Sequence, residues 1–157
     1  MLKKKIIWFI IGVLVILVVL LGYVGSLVEY AETEVRLINN VSASLEAMSG
    51  IDSVESIHRF NGLESYIVAR VLYDQQEVYF FVRDGTIQHY IGSAEMLAES
   101  DAQNIAVNFI SGGDIHHTQL GIIGETPIFE VQIALGDARH YVVINAKSGN
   151  VIMNFDL

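Results

Sequence analysis

The stretch YVVINAKSGNVIMNF, residues 141–155, decides how the end of the chain folds. Two apolar runs flank a polar segment that contains a glycine, and this pattern is typical of a β-hairpin. A similar stretch, YFFVRDGTIQHYI at residues 79–91, begins 62 residues earlier and also turns through a glycine. The sequence therefore predicts that one β-rich unit occurs twice, and that residues 141–155 complete the second copy.

The 62-residue offset also aligns positions outside these hairpins. The aligned pairs are Gly62 and Gly124, Ile67 and Phe129, Ala69 and Val131, Val71 and Ile133, Tyr79 and Tyr141, and Val82 and Ile144. In each copy a segment of helical periodicity precedes about four segments of strand periodicity, which predicts a helix followed by antiparallel strands. A copy of roughly 60 residues is close to the lower limit for independent folding, so we expect the two copies to stabilise each other across an interface.

The two predicted helices have recognisable ends. In the first, apolar residues recur at three- and four-residue steps over 28–48, and Gly50 is its stop signal. The second has the pattern of a capping box at Ser100–Gln103 and ends at Gly112-Gly113. The side chains expected on its buried face are Ala102, Ile105, Ala106, Phe109 and Ile110.

The N-terminal residues have the pattern of a membrane anchor. Three lysines, residues 3–5, precede an uncharged apolar run over 6–28. About 20 apolar residues in a helix match the ~30 Å hydrocarbon core of a bilayer, and the lysines favour a cytoplasmic N-terminus. A cleaved signal peptide with a cleavage site at Val24-Gly25-Ser26 is the alternative, although the run exceeds the usual h-region of about 7–15 residues.

The charge of the chain limits its partners. The chain has 9 basic and 18 acidic residues, and 6 basic against 18 acidic remain once the three N-terminal lysines are set aside. A surface this acidic repels phosphodiesters and anionic lipid headgroups, so nucleic-acid binding is excluded. The need for solubility is enough to explain the excess of acidic residues. The functional alternative is that the acidic surface binds a partner with a cationic surface.

No catalytic residue, cofactor site or metal site is predicted. The chain has no cysteine, which excludes a disulfide framework, a thiol nucleophile, thiolate ligands and a lipidated cysteine. The adjacent His116 and His117 would point to opposite faces of a strand, so only Asp114 and His116 are placed to share a weak two-ligand site. The other three histidines are isolated, and no Gly-x-Ser-x-Gly turn or phosphate-binding glycine loop is present.

The first copy has more apolar surface than one sheet face requires. In the second copy Glu130 and Gln132 alternate with apolar residues, whereas over residues 66–72 of the first copy both alternating sets are largely apolar. The additional apolar face must be covered by the other copy or by a partner protein. The candidate partner-binding side chains are Tyr66, Val68, Arg70, Tyr79 and Phe81.

The second copy resembles a PepSY module. The resemblance rests on the helix start at Ser100-Asp101, a strand with Glu-Val in its middle, and the final YVVINAKSGNVI hairpin. The turn positions of the PepSY pattern D/N-x-x-T/S-G-x-V/I are occupied by Asn145, Ser148, Gly149 and Val151. Asparagine replaces the commoner aspartate, which is a mild departure. The resemblance implies a cystatin-like arrangement, in which a helix packs on an antiparallel sheet.

The complete layout is similar to that of the YpmB/TseB-like cell wall elongation regulators of Gram-positive-type bacteria. It comprises a lysine-rich N-terminus, one membrane span, a first module with VESIHRFNGLESYIV, and a PepSY module at the end. The resemblance covers nearly the whole chain and implies an extracytoplasmic, non-enzymatic protein that associates with a penicillin-binding transpeptidase. No functional motif at the level of single residues is carried over with it.

Together these patterns predict an α+β protein: an N-terminal transmembrane helix followed by two tandem cystatin-like modules, each a helix packed on an antiparallel sheet. The predicted divisions are a cytoplasmic N-terminus (1–5), a single-pass anchor (6–28), a first module (29–91), a connector (92–99) and a PepSY module (100–157). The predicted function is regulation of peptidoglycan elongation through a penicillin-binding protein or another cell-wall synthesis protein. The alternatives are a PepSY-type regulator or inhibitor of a secreted peptidase, and a sensor of a small ligand or cation.

Overall fold

The computed structural model describes the backbone of residues 2–156 and the side chains of residues 16–24 and 32–156. The chain divides into two compact units, Met1–Asn39 and Asn40–Leu157. The elements in chain order are α1 (Leu2–Glu46), β1 (Ile51–Asn61), β2 (Ser65–Tyr73), β3 (Gln76–Arg83), β4 (Thr86–Gly92), a 3₁₀ turn (Ser93–Glu95), α2 (Glu99–Ile110), β5 (Asp114–Ile123), β6 (Thr126–Leu135), β7 (Ala138–Asn145) and β8 (Val151–Asp156).

Helix α1 includes the segment for which a transmembrane span was predicted. Within the described residues, no helix is long and apolar enough to cross a membrane. The predicted fold class was therefore wrong in its transmembrane element: the described chain consists of two four-stranded sheets and three helices.

Part of that prediction lies outside the described side chains. This applies to residues 1–15, which hold the predicted cytoplasmic N-terminus and the first part of the span, and to residues 25–28. It applies equally to Gly25 and Ser26 of the alternative cleavage site.

The two sheets repeat one another in topology and register. Both are antiparallel, with the strand orders β1-β2-β3-β4 and β5-β6-β7-β8. The cross-strand pair Ile67–Val82 of the first sheet recurs as Phe129–Ile144 in the second, so both partners shift by 62 residues. Even a β-bulge recurs, immediately before Val82 and immediately before Ile144. The repeat that the sequence indicates is therefore present in the backbone, and the two four-stranded sheets follow the predicted strand segments.

Helix α2 packs on the second sheet through small side chains. Ala102 and Ala106 are fully buried, and the helix contacts β5, β6 and β7. The predicted buried face is wrong at Phe109, which is 51% exposed. The predicted capping box is also wrong: the helix begins at Glu99, with Ala98 at the N-cap and no side-chain cap. Gln103 instead donates hydrogen bonds to the Glu99 carboxylate and the Thr118 hydroxyl, each at 3.1 Å.

The final hairpin turn, between β7 and β8, is organised by one asparagine. The Asn145 side-chain oxygen accepts hydrogen bonds from the backbone N–H groups of Lys147 and Ser148, both at 2.9 Å. Its carbonyl oxygen accepts one from Gly149, which has a φ of 76°. The asparagine and the glycine of the PepSY-like pattern thus serve the turn itself, because an Asx turn and a left-handed residue close it.

We expect Gly149→Ala to lower the free energy of unfolding by about 1–2 kcal/mol, because alanine is strained at a positive φ. The added Cβ would also lie 3.1 Å from Ile105 Cδ1 and 3.2 Å from Leu97 Cδ1. Gly124→Ala is the matched control, since its φ is 60° but nothing lies within 4 Å of the added Cβ. Urea unfolding of both variants separates the backbone cost from the steric cost. Equal losses in the two variants would mean that the contacts with Ile105 and Leu97 cost nothing.

Candidate functional site

The two sheets meet along strands that occupy equivalent positions in the two copies. The Nε2 atom of His58 in β1 donates a hydrogen bond to the carbonyl oxygen of Leu120 in β5 at 2.9 Å, and these two residues are 62 positions apart. Next to this bond the Phe60 ring lies against Gly121, where an added Cβ would be 2.4 Å from ring atoms. Equivalent strands therefore contact each other, as in an isologous interface between two subunits.

A groove with a volume of about 620 Å³ opens beside this junction. Strands of both sheets line it, and part of its wall is formed by Ser93 and residues 96–99, which follow β4 and end at the first residue of α2. We define the groove by six of its lining side chains: Ser56, Arg70, Tyr79, Met96, Thr118 and Phe129. Its lining mixes hydroxyl groups and apolar surface with one arginine, two carboxylates and two imidazoles. The groove lies wholly within the unit Asn40–Leu157.

The structure separates the five predicted partner-binding side chains into two groups. Tyr66, Val68 and Phe81 are 4%, 1% and 1% exposed and belong to the same buried cluster as residues of the second sheet. Arg70 and Tyr79 are half-buried and line the groove. The additional apolar face of the first sheet is thus covered from within the chain. That the five side chains bind a partner stays a prediction, and only Arg70 and Tyr79 are placed where a second molecule would touch them.

Arg70 is the one arginine that lines the groove. It lies between Ser56 on β1 and Tyr79 on β3, opposite each of them in the strand register. Its Nε atom is buried without a hydrogen-bond partner. Among the ion pairs of the described residues, none involves Arg70. The guanidinium also takes part in a side-chain hydrogen bond with Tyr79.

The pKa of the Tyr79 hydroxyl depends on the charged groups that line the groove. Its hydroxyl donates a hydrogen bond to Glu77 Oε1 at 3.1 Å. Burial of the ring raises the pKa of the Tyr79 hydroxyl above its ordinary value, and the Glu77 carboxylate raises it further. The positive charge of Arg70 acts in the opposite direction on the same pKa. The guanidinium of Arg70 and the hydroxyl of Tyr79 are therefore neighbours in the groove.

A second polar cluster holds Tyr66 at the end of the first sheet. Its hydroxyl donates to Glu64 Oε2 at 2.8 Å, Arg83 forms an ion pair with Glu64, and the guanidinium carbon of Arg83 lies 5.5 Å from the centre of the Tyr66 ring. The hydrogen bond from Tyr66 and the contact with Arg83 lower the pKa of Glu64. The same hydrogen bond, followed by burial, raises the pKa of Tyr66. The ring is thus buried while its hydroxyl reaches the surface.

These two tyrosines predict a loss of stability in alkali. The folded-state pKa values of Tyr66 and Tyr79 are both raised, so the folded chain holds these protons more tightly than the unfolded chain. Their contribution is complete below the unfolded-state pKa of about 10 and is lost as the pH rises above it. We expect the free energy of unfolding in urea to fall as the pH rises above about 10, and to fall less in the double variant Tyr66→Phe/Tyr79→Phe. Identical pH profiles would contradict this assignment.

The paired histidines differ in their position relative to the groove, which His117 lines and His116 does not. Asp114, His116 and His117 are exposed on β5, where the register shifts by a bulge between Ile115 and His117. His117 also reaches the groove lining. Within the described residues, no group of three histidine, aspartate or glutamate side chains is placed to hold a metal ion.

Sequence reasoning missed two parts of the groove. Ser56 and His58 line it, and the segment 93–99 was treated only as a connector. The sequence did contain a pattern that could have indicated the groove. The 62-residue offset makes His58 and Leu120 equivalent positions of the two copies, and equivalent strands of two repeats often form the interface between them. No local pattern marks residues 93–99, because their role depends on where the second copy lies.

The fold is that of a tandem protein in which two similar antiparallel sheets pack through equivalent strands. No family model matches the chain, and no curated protein matches it. Among solved structures the chain is similar to the YpmB protein from Bacillus subtilis, with a TM-score of 0.64, 17% identity, and coverage of 76% of this chain and 96% of that one. At this identity the likeness shows a YpmB-like fold. A candidate lipoprotein from Clostridium difficile 630 matches with a TM-score of 0.43, 10% identity, and coverage of 77% of this chain and 90% of that one.

Proposed function

We propose that this chain is a non-enzymatic, extracytoplasmic regulator of peptidoglycan elongation that binds a penicillin-binding transpeptidase. The observation that carries the proposal is the YpmB-like fold, which extends over 96% of the YpmB chain. The order of the two modules in the sequence resembles that of the YpmB/TseB-like regulators, and this resemblance does not depend on the structural comparison.

The groove is the proposed place of contact with the partner. It combines apolar wall residues with hydroxyl groups and Arg70, and binding sites in proteins commonly have this mixture. The chain carries a net charge of −9, so a partner with a cationic surface would associate faster than a neutral one. Charge then guides the encounter, and the groove supplies the specific contacts.

Site-specific photocrosslinking in cells that produce the protein tests this proposal. A benzoylphenylalanine at position 117, which is exposed at the groove, is expected to capture a penicillin-binding transpeptidase. The control position is 137, an exposed turn residue that does not line the groove. Mass spectrometry of the crosslinked products identifies the partner. Absence of any cell-wall synthase from the products at position 117 would refute the proposal, and capture of a secreted peptidase would favour the alternative function.

A further inference from the structure

We propose that one face of the second sheet binds a short segment of another protein through an apolar side chain of that segment. We define this second-sheet face by the side chains of Gln132, Tyr141, Met153 and Phe155, none of which lines the groove. The inference goes beyond the proposed function, because it concerns a different surface and holds whichever protein the chain regulates.

The four side chains of the second-sheet face lie side by side. Gln132 pairs with Tyr141, Tyr141 pairs with Phe155, and Met153 lies two residues before Phe155 on β8. The rings of Tyr141 and Phe155 are stacked with their centres 4.9 Å apart. Met153 and Phe155 are nevertheless 49% and 40% exposed. An aromatic pair beside a thioether forms an apolar surface that adapts to the side chain placed on it.

The first sheet contains the same row of side chains and buries the end of it. In the register shared by the two sheets, the row Gln132–Tyr141–Phe155 corresponds to the row Arg70–Tyr79–Ile91. Ile91 is 5% exposed and belongs to the buried cluster, whereas Phe155 is 40% exposed. The end of the row on β4 is therefore covered in the first copy, and the equivalent end on β8 is open in the second.

The segment that follows β4 contributes to this cover in the first copy. Met96 packs against the buried cluster that contains Ile91, and the 3₁₀ turn before Met96 contacts β3. The first copy thus shows what suits such a row: a short irregular segment that carries an apolar side chain. We take this segment as the model for the partner segment that binds the second-sheet face.

The charged side chains beside the second-sheet face do not select a charged partner. Glu130 and Arg139 lie two residues before Gln132 and Tyr141 on the same face, and their charges are opposite. Glu130 already accepts a hydrogen bond from Gln119 at 2.9 Å. Apolar contact therefore decides what binds, and a methionine or leucine side chain suits an aromatic pair.

Two observations favour another protein over a second copy of this chain. Each chain carries a net charge of −9, so two copies repel one another. A second copy also has no free segment of this kind to offer. Its Met96 packs within its own chain, and its Leu97 N–H donates a hydrogen bond to the Ala146 carbonyl oxygen at 2.8 Å.

Binding of a peptide copy of residues 92–99 to the full chain tests the inference. The probe carries Glu95→Gln and Glu99→Gln, which removes repulsion by the acidic chain. With the methionine methyl groups labelled with ¹³C, the NMR signal of Met153 is expected to shift at about millimolar probe. The signal of Met48 is the internal control, because Met48 is 41% exposed outside the face. A probe with Met96→Ser is expected to bind about tenfold more weakly, because it buries no methionine.

Three outcomes of this titration would overturn the inference. A shift of the Met96 signal without one of Met153 would mean that the probe displaces the chain's own segment from the first sheet. A Met153 signal that moves with protein concentration in the absence of probe would identify a second copy as the occupant. No shift of Met153 up to about 10 mM probe would mean that the face binds no such segment.

Variants of the face complete the test, with affinity measured by fluorescence anisotropy of a labelled probe. Phe155→Ala is expected to weaken binding about tenfold, because it removes half of the aromatic pair. Phe109→Ala is the matched control and is expected to change nothing, since Phe109 is 51% exposed on α2. Should Phe155→Ala unfold, Met153→Ala decides the matter with the same expected loss. Unchanged affinity in whichever of these two variants folds would refute the inference.

This inference and the proposed function fail in different ways. Capture of a cell-wall synthase from position 117 without probe binding at Met153 would remove the docking face and leave the regulatory role. Probe binding at Met153 without capture of a synthase would remove the regulatory role and leave the docking face.

Discussion

Replacing Phe60 by alanine is expected to lower the free energy of unfolding of the chain by about 3–5 kcal/mol. The ring is 1% exposed and belongs to the cluster that contains residues of both sheets. It also lies against Gly121 beside the hydrogen bond from His58 to Leu120, so its loss opens a cavity where the two sheets meet. Urea unfolding followed by circular dichroism measures the change. Leu63→Ala is the control, because Leu63 is 87% exposed and its truncation should cost less than about 0.5 kcal/mol.

The contact between Phe60 and Gly121 leads to a second, independent prediction. Gly121→Ala places a Cβ at 2.4 Å from the Phe60 ring, and such overpacking typically costs about 1–3 kcal/mol. In the Phe60→Ala background the same methyl group enters vacated space, so the cost should largely disappear. The double variant is then more stable than the sum of the single changes implies. Strict additivity would show that the ring and Gly121 are not in contact in solution.

Tyr66→Asp is expected to destabilise the chain by at least about 4 kcal/mol, or to unfold it. The substitution puts a carboxylate where the tyrosine ring is 4% exposed, in one cluster with Val68 and Phe81. It also places a negative charge close to Glu64, which now accepts the tyrosine hydroxyl. Tyr66→Phe keeps the ring and loses only that hydrogen bond, so it should cost about 1 kcal/mol.

This variant also decides between the two explanations for the additional apolar face of the first sheet. Unfolding of Tyr66→Asp agrees with a face covered by the second sheet. A folded Tyr66→Asp, within about 1 kcal/mol of the unaltered chain, would instead mean that the face is open to a partner in solution. Its binding to a transpeptidase could then be measured directly. The groove around Arg70 would in that case be only one edge of a larger binding surface.

The duplicated architecture has a consequence for the position of the site. Two copies packed through equivalent strands resemble a two-fold dimer, but the copies have diverged at the positions that line the groove. Arg70 is replaced by Gln132 at the equivalent position of the second copy, while Tyr79 is matched by Tyr141. Tyr141 accepts a hydrogen bond from Gln132 at 3.0 Å and stacks on Phe155 with ring centres 4.9 Å apart. The charged form of the arrangement is therefore confined to the first copy.

The sequence by itself determined the local structure of this protein. Alternation with period two marks the strands, glycine marks the turns, and Asn145 with Gly149 marks the last hairpin, because each of these signals depends only on neighbours along the chain. The 62-residue offset predicted the repeat, and the structure adds that the two sheets share one register. The capping box at Ser100 and the buried position of Phe109 were wrong, since tertiary contacts of α2 override weak local preferences.

Only the tertiary structure decided which surfaces remain available. Tyr66 and Arg70 lie four residues apart on one strand, so their side chains belong to the same face of the sheet. Tyr66 is nevertheless enclosed between the sheets, whereas Arg70 lines the groove. The difference arises from the packing of β1 on β5, a contact between segments 62 residues apart. Periodicity specifies which side chains share a face of a sheet, but not how far another sheet extends over that face. The placement of Arg70 in an open groove, without an ion-pair partner among the described residues, is therefore a property of the assembled fold.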